Sequence, residues 1–492
     1  MENEFTTFNK NHAIFLPAIS SFYATFIGKQ RFGEYIAHSR IPKSFKHGVE
    51  SINFLNKDEG IFYYPYALYS AGHAKLDLNK VEHKEDMIRN RDRSSSLLVG
   101  DSGGFQIGKG VWEGDWTDSN CPKASKQRET VLHWLEGISD YAMCLDIPVW
   151  TRYTEKARKT TKVKTYQDAV NGTKINNEYF IKNRHGNTKF LNVLQGENHT
   201  EAEDWYEQMK QYCDPKKYKT NHFNGWAMGG QNMCDLHLAL KRVITLKFDG
   251  LLEKGVHDWM HFLGTSRLEW AMALSDIQRA VRKYHNSNFT ISYDCASPFL
   301  ATANGRIYTS LDLNPGEKWI YRMEFGPDNK KYATDNRKFS QALLEDLKRK
   351  KTTIDNFIDS PVTEDLLISD VCIYKEGDVN KIGKEGKTSW DSFSYAIQMA
   401  HNVWMHLMAV RLANELYDSG TYPTMLVEDS ISQLMMKDLI TEAIRIDSKP
   451  KALKFLDDHS KFWMRLVGTR GFSGKKAMNA TTQFNNLFEI IE

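Results

Sequence analysis

"LLVGDSGGFQIGKG", residues Leu97 to Gly110, carries the clearest indication of the fold in this sequence. An apolar run stops at a carboxylate, Asp101, and two glycines and a phenylalanine follow at once. A short apolar run that ends in polar or glycine residues is typical of a strand buried in a parallel sheet. The stretch therefore predicts a strand that ends at Asp101, followed by a loop that joins an acid, a flexible backbone and an aromatic ring.

The same pattern recurs through the first three-fifths of the chain. The runs are AIFLPAIS (13–20), IFYYPYALYS (61–70), SLLVGD (96–101), YAMCLD (141–146), FLNVLQG (190–196), GWAMGG (225–230), MHFLGT (260–265) and FTISYD (289–294). Longer helical patterns separate most of them. Leu132, Leu135 and Ile138 share one helical face, and capping-box patterns occur at 200–203 and 266–269. Strands that alternate with helices predict an α/β fold with a parallel sheet.

About eight such units are what a (β/α)8 TIM-like barrel requires. The competing architecture is a doubly wound open sheet. These units contain no phosphate-binding G-x-G-x-x-G turn, which favours the barrel.

Polar residues and glycines occupy the carboxyl ends of these runs. They are Asp101, Asp146, Gln195, Gly229, Gly230, Gly264 and Asp294. In a (β/α)8 barrel the active site lies at these ends. One acid at a strand end commonly caps the next helix. Several acids and an amide that converge on one face instead indicate a polar site with open backbone.

Composition sets broad limits on the class of protein. The chain has 492 residues, of which 41% are hydrophobic and 26% are charged, as in soluble globular proteins. No apolar run approaches the ~20 residues that cross a bilayer, which predicts no membrane association. The opening MENEFTTFNKNH lacks a signal pattern, so we expect a cytoplasmic protein, in the host cytoplasm if the chain is viral. The six cysteines are scattered, which argues against a disulfide framework.

Charge gives a weaker indication of partners. The net charge of +3 says little by itself. Three local basic stretches, at 156–164, 214–219 and 347–351, are candidates for contact with a phosphate backbone. Solvated helix faces are the alternative interpretation of each stretch.

The strand ends together resemble the queuine/archaeosine tRNA-guanine transglycosylase family. DSGGFQ (101–106) matches the hallmark stretch of that family almost letter for letter. CLDIP (144–148), VLQGE (193–197), GWAMGGQ (225–231) and YDCASPFLATANGRIYT (293–309) are similar, in the same order, to its further strand-end motifs. The resemblance covers roughly residues 10–310 and, faintly, the His401-Asn402 pair in a later helix.

This resemblance implies an enzyme that replaces guanine in a nucleic acid by a 7-deazaguanine base, such as 7-cyano-7-deazaguanine, without a cofactor. The reaction would be a double displacement through a covalent glycosyl-enzyme, similar to that of retaining glycosidases. By motif position Asp294 is the nucleophile and Asp101 is the general acid/base. Capping of the next turn is the alternative role for Asp101.

The resemblance also implies a set of base-binding residues. They are Ser102, Gly103, Phe105, Asp146, Gln195, Gly229, Gly230 and Leu263. Asp146 and Gln195 would hydrogen-bond the base edge, and Phe105 would stack on a flipped base, with Leu263 as the opposite wall. The glycine backbone would approach the base closely. A place in the core is the alternative for Phe105, and for Trp112 and Trp116 packing and substrate contact are equally open.

Candidate nucleic-acid contacts lie outside the base pocket. Arg306, in the arginine-bearing turn after the nucleophile, either binds a phosphate or ties down its loop. Lys159, Lys162 and Lys164 are predicted phosphate contacts.

The chain departs from the family after the nucleophile. Family members hold a structural zinc through a three-cysteine cluster and a histidine, but only Cys295 and Cys372 follow Asp294 here. We therefore predict no zinc, and His401 is interpreted as a packed or hydrogen-bonded helix residue. Residues 1–310 are predicted to form the barrel. Residues 311–492 are predicted to form an insert and a zinc-free, mostly helical C-terminal region packed on the barrel, with a long helix over 389–417.

The remodelled C-terminal region bears on the substrate. It makes the chain look closest to the branch of the family that inserts 7-deazaguanines into bacterial or phage DNA, a modification linked to protection from restriction. Alternatives are a tRNA-guanine transglycosylase with an atypical C-terminal region and a catalytically silent nucleic-acid-binding paralogue. The presence of both Asp101 and Asp294 argues against the silent paralogue. A generic barrel glycosidase would explain the carboxylates but not DSGGFQ.

Overall fold

The computed structural model describes residues 10–29, 36–78, 86–350, 352, 356–373, 388–426 and 435–466. Eight strands form one parallel sheet in the order β1-β8-β7-β6-β5-β4-β3-β2. The strands are β1 (Ile14–Pro17), β2 (Tyr66–Ser70), β3 (Leu97–Asp101), β4 (Tyr141–Met143), β5 (Lys189–Leu194), β6 (Gly225–Met228), β7 (Trp259–Phe262) and β8 (Thr290–Cys295). Each falls within or beside one of the predicted runs.

The sheet curls into a nearly closed barrel. Its first and last strands in the hydrogen-bonded order, β1 and β2, meet through a single parallel bridge between Ala18 and Leu68. The Ile19 N–H donates to the Leu68 carbonyl over 2.9 Å at the same place. The predicted α/β barrel is therefore confirmed, and the doubly wound open sheet is wrong.

Helices surround the sheet and alternate with its strands. Those of the barrel are α1 (Ser21–Lys29), α2 (Asp86–Arg89), α3 (Gly104–Gly108), α4 (Pro122–Ile138), α5 (Glu155–Thr161), α6 (Tyr166–Asn183), α7 (His199–Met209), α8 (Pro215–Tyr218), α9 (Leu236–Phe248), α10 (Leu268–Tyr284) and α11 (Ser297–Ala303). Strands such as β6 are buried at every position because helices cover the outside of the sheet while side chains fill its inside.

Two helices begin differently from the sequence prediction. The side chain of Asn198, not that of Thr200, caps α7 by accepting from the Glu201 N–H. Asn198 has an extended backbone and is a stronger cap than threonine, so the helix starts earlier and Thr200 lies inside it. Helix α10 follows Arg267 without a side-chain cap, so the capping box predicted at Ser266 is also wrong.

The C-terminal region is mostly helical but opens with a hairpin. Strands β9 (Arg306–Asp312) and β10 (Ile320–Phe325) pair antiparallel. The helices that follow are α12 (Phe339–Arg349), α13 (Ile368–Val371), α14 (Ser392–Asp418), α15 (Met436–Arg445), α16 (Lys449–Asp458) and α17 (Ser460–Trp463). The domain boundary predicted at residue 310 falls inside β9.

The long helix α14 fastens this region to the barrel. Tyr417 donates to Asp276 of α10 over 2.6 Å, and Arg40 donates to Asp391, which caps α14, over 2.7 Å. Helix α15 packs on α10, and α16 packs on α9. Within the ranges given above, no helix is long and apolar enough to cross a membrane.

Candidate active site

The polar residues that the sequence places at strand ends come together at the carboxyl end of the barrel. Gln195 and Asp146 are hydrogen-bonded, with 2.7 Å between Nε2 and Oδ2. Burial raises the pKa of Asp101, and the charge of Asp294 raises it further. Burial also raises the pKa of Asp146, to about 7, with a smaller contribution from the charge of Asp101. The three carboxyl groups therefore lie within electrostatic reach of one another.

Asp294, near the end of β8, is held by two neighbouring groups. Its Oδ1 accepts from the backbone N–H of Gly264 over 2.9 Å and lies 3.1 Å from Nε2 of His261. Gly264 stands in the turn after β7 with a φ of 64, which favours glycine. The turn thus aims a backbone donor at the carboxylate of the neighbouring strand.

Asp101, the last residue of β3, is paired across the sheet with Ser70 of β2. The Ser70 hydroxyl donates to Oδ2 of Asp101. That bond and the Gly103 N–H favour the charged form, but burial outweighs them and the net shift of the Asp101 pKa is upward. A carboxyl group with a raised pKa carries a proton more readily near neutral pH, which suits a general acid.

The glycines of the site are required by close packing. A Cβ on Gly104 would lie 2.4 Å from the Asp146 carbonyl, and one on Gly103, where φ is 78, would lie 2.7 Å from Gly72 N and from the Trp112 ring. A Cβ on Gly229 would lie 2.9 Å from Gln195 Nε2, and one on Gly230 would lie 2.4 Å from the Gly196 carbonyl. Close packing against neighbouring groups is by itself enough to require glycine at these four positions. Their predicted contact with a base stays a prediction.

The side chains around the acids vary in exposure. Phe105 is half-buried, with its ring edge against Trp150 at 5.3 Å between centroids and the Lys109 ammonium 4.4 Å from its centre. Leu263 is half-buried in the turn after β7. Ser102 is fully buried, and its hydroxyl has no hydrogen-bond partner among the described residues. Trp116 is fully buried and donates to the Trp112 carbonyl over 3.0 Å, which accounts for it as packing.

The predicted cationic residues are arranged in two different ways. Lys159, Lys162 and Lys164 are exposed on and just after α5, in the connection between β4 and α6, at the same end of the barrel as the acids. Arg306 stacks its guanidinium 4.5 Å from the centre of the Phe325 ring. The Arg306 carbonyl accepts from Asn402 over 3.3 Å. These two contacts support the second predicted role of Arg306, which is to hold its loop in place.

The other two basic stretches have different surroundings. Residues 214–219 lie between α7 and β6, at the opposite end of the barrel from the acids. Arg349 and Lys350, in the third stretch, both bond Asp346, and Lys351 lies outside the described residues.

His401 is a buried helix residue, as predicted. Its Nε2 lies 2.9 Å from the Tyr308 carbonyl, and its Nδ1 lies 2.9 Å from the Ser360 hydroxyl. The Phe357 ring stacks on it, and burial lowers the pKa of His401 to about 4. Within the part of the chain that the structure describes, no group of three or more histidine, cysteine or acidic side chains is placed to hold a metal ion.

Several residues of the site were missed in the sequence analysis. They are Ser70, Asn232, Trp259, His261 and Ser292. Asn232 is fully buried and donates to the carbonyls of Gln195 and Gly229 over 3.2 and 3.1 Å. The sequence did contain an indication of His261, because it is a polar residue inside an otherwise apolar run and strand side chains alternate between faces.

No family model matches this sequence, and no curated protein matches it either.

Proposed function

We propose that this protein is a transglycosylase that exchanges guanine in DNA for a 7-deazaguanine base through a covalent glycosyl-aspartyl intermediate. The observation that carries the proposal is the pairing of two unlike carboxyl groups. The Gly264 N–H and the His261 ring both contact the Asp294 carboxylate, whereas burial raises the pKa of Asp101, and the charge of Asp294 raises it further. The Asp294 carboxylate, held by neighbouring groups, would serve as the nucleophile, and Asp101, whose pKa is raised by burial, would serve as the acid.

The first half-reaction uses both acids. A carboxylate oxygen of Asp294 attacks C1′ of the target nucleotide, and a bond forms between them as the bond from C1′ to N9 of guanine breaks. The electron pair of the broken bond stays on guanine, and Asp101 donates a proton to it. Guanine leaves, Asp101 is left as a carboxylate, and the sugar is an ester of Asp294.

The second half-reaction reverses these roles. The Asp101 carboxylate takes the N9 proton of the incoming 7-deazaguanine. N9 then attacks C1′, and the ester bond breaks with return of its electron pair to Asp294. The net result is exchange of one base for another with both acids restored, so no cofactor is required.

Asp146 and Gln195 would recognise the edge of the base. Their bond uses one amide hydrogen of Gln195 and one oxygen of Asp146, and so leaves further acceptors and a donor on the pair. Guanine and 7-deazaguanines share a pyrimidine ring with donors at N1 and the 2-amino group and an acceptor at O6. A carboxylate beside an amide matches that order of donors and acceptors.

The basic surface beside the site supports a nucleic acid as the substrate, and the remodelled C-terminal region favours DNA over tRNA. The segment α5 carries the exposed Lys159 and leads to Lys162 and Lys164. It is joined to the loop after DSGGFQ, because the Gly114 N–H donates to the Thr160 carbonyl over 3.0 Å. A duplex phosphate backbone held there would lie beside the acids, and the target base would have to leave the stack to reach them.

The test is uptake of label from labelled guanine into a polymer. The protein is incubated with duplex DNA or with tRNA, and the Asp294→Asn and Asp101→Asn variants serve as controls. Label in DNA that both variants lose supports the proposal. Label in tRNA alone would favour a tRNA-guanine transglycosylase, and nucleic-acid binding without uptake would favour a silent paralogue. We expect this reaction in the cytoplasm, where the polymer and the free base meet.

A further inference from the structure

A chain of buried polar groups inside the barrel ends on Asp294. Trp259 and His261 lie on β7, and Ser292 and Asp294 lie on β8, with His261 and Ser292 in register. Trp259 donates through Nε1 to Oγ of Ser292 over 2.8 Å. Ser292 Oγ lies 2.9 Å from His261 Nδ1, and His261 Nε2 lies 3.1 Å from Asp294 Oδ1. His261 and Ser292 are fully buried.

This chain faces the interior of the barrel. The Trp259 ring stacks on Tyr141 of β4, with 4.3 Å between ring centres. Because β4 and β7 are not neighbours in the sheet, side chains of the two strands meet only across the barrel interior. The polar chain is therefore shielded from water. In such a buried environment a donor or acceptor without a partner is costly.

One arrangement of the hydrogens in this chain gives a neutral His261 a partner on each ring nitrogen and gives Asp294 a donor. The indole N–H of Trp259 can only donate, so it occupies one lone pair of Ser292 Oγ, and the serine hydrogen can then point at His261 Nδ1. The ring hydrogen of His261 then sits on Nε2 and points at Asp294. The other tautomer would turn a nitrogen lone pair toward the carboxylate.

Both donors to Asp294 converge on the same oxygen. His261 and the Gly264 N–H both bond Oδ1, whereas Oδ2 accepts no hydrogen bond from any described residue. A terminal carboxyl torsion is broad and roughly two-fold, so an unrestrained aspartate offers either oxygen. Two donors on Oδ1 remove that freedom.

We propose that Trp259, Ser292 and His261 form a positioning relay that fixes the plane of the Asp294 carboxylate and makes Oδ2 the attacking atom. This inference rests on the proposed nucleophilic role of Asp294. In the ester, Oδ1 is the carbonyl oxygen and keeps its two donors. As the ester bond breaks in the second half-reaction, negative charge returns partly to Oδ1, and the same donors stabilise it. The relay therefore serves both half-reactions.

The test compares variants of the relay in the full-length protein. His261→Leu removes the donor, His261→Gln restores an N–H at a similar reach, and Ser292→Ala removes the group that fixes the tautomer. His257→Gln is the matched control, because His257 is also fully buried and hydrogen-bonded, to the Cys213 carbonyl over 2.8 Å, but precedes β7 at the opposite end of the barrel. The rate of covalent adduct formation and the Kd for DNA are measured for each.

We expect the relay variants to form the covalent adduct more slowly and to bind DNA with an unchanged Kd. Adduct formation should fall roughly 10- to 100-fold in His261→Leu, the scale expected for a misplaced reacting group, with a smaller loss in Ser292→Ala. His261→Gln should recover most of the rate, and His257→Gln should match the unmodified protein. Equal rates for His261→Leu and the unmodified protein would overturn the relay. Absence of any adduct in the unmodified protein would instead count against the proposed function.

A second measurement needs no enzymatic activity. In protein labelled with ¹⁵N-histidine, the His261 ring should show a protonated Nε2 and an unprotonated Nδ1, assigned by the signal lost in His261→Gln. The same spectrum of Ser292→Ala should show a mixture of tautomers. A lone pair on Nε2 in the unmodified protein would overturn the relay.

Discussion

Gln195 donates through Nε2 to Oδ2 of Asp146 over 2.7 Å and so joins the ends of the neighbouring strands β4 and β5. Both side chains are buried, and that burial raises the pKa of Asp146 to about 7. The hydrogen bond from Gln195 favours the charged form but does not offset the burial. Compared with the unfolded chain, the folded protein therefore favours the protonated form of Asp146 over a range of several pH units.

This preference predicts a pH-dependent gain in stability for Asp146→Asn. In the unfolded chain Asp146 loses its proton near pH 3.8, and in the folded protein only near about 7. Between those values the folded state binds more protons, so its stability falls as pH rises, by up to about 1.4 kcal/mol per unit. Asparagine removes this cost, and the variant should be more stable than the unmodified protein by a few kcal/mol at about pH 8. Urea unfolding at about pH 4 and about pH 8 measures the free energy of unfolding of both proteins. A gain of equal size at the two pH values would contradict a raised pKa for Asp146.

The same titration predicts how the site binds a free base. The guanine edge presents N–H donors, which only the ionised form of Asp146 can accept with both oxygens. Guanine affinity should therefore rise as pH increases from about 6 to about 8. The Asp146→Asn variant should bind more weakly and lose most of this pH dependence. Calorimetric titration measures both, and an unchanged pH dependence in the variant would remove Asp146 from base recognition.

Two glycines with similar backbone angles offer a matched test of the close packing. Gly230 has a φ of 54 and Gly250 a φ of 70, but a Cβ on Gly230 would lie 2.4 Å from the Gly196 carbonyl, whereas nothing lies within 4 Å of one on Gly250. Alanine at either position should cost about 1–2 kcal/mol of backbone strain. Gly230→Ala should cost more, because the segment beside Gln195 must also move. Base exchange should fall in Gly230→Ala and persist in Gly250→Ala, and equal effects of the two would contradict the account.

The basic surface beside the site predicts the salt dependence of DNA binding. Changing Lys159, Lys162 and Lys164 to glutamine should weaken binding and lower the slope of log Kd against log salt by roughly 2 to 3, since each lost phosphate contact removes about one ion. Exchange at saturating DNA should change little.

The control changes Lys216, Lys217 and Lys219, at the other end of the barrel, to glutamine. It removes the same number of positive charges. Each set also contains one lysine with a positive φ, Lys219 here and Lys162 in the other set, so the two sets match in this respect too. Equal slopes for the two triple variants would show that α5 is not the DNA surface.

The sequence allowed the barrel to be predicted because each strand is a short apolar run with a polar or glycine end. The ends of those runs also placed Asp101, Asp146, Gln195 and Asp294 together at the carboxyl end of the barrel. The hairpin β9–β10 was not predicted, because its strand β10 is largely exposed and has no apolar run to reveal it.

The partners of the acids were harder to predict. Ser70 and Ser292 are ordinary strand residues until the register of the sheet sets Ser70 opposite Asp101 and Ser292 opposite His261. The donor role of Gly264 depends on the turn after β7, which spacing along the chain does not reveal. Asn198 rather than Thr200 caps α7 because the two residues lie within one turn of each other, and the backbone conformation, which the sequence does not show, decides which of them caps the helix.

Mapping the covalent adduct identifies the nucleophile, which we propose is Asp294. The protein is mixed with duplex DNA, quenched in denaturant, digested and analysed by mass spectrometry. We expect one sugar-bearing peptide that contains Asp294, and no adduct from Asp294→Asn protein that still binds DNA with unchanged Kd. A full yield of adduct from Asp294→Asn, or an adduct mapped to Asp101, would contradict it.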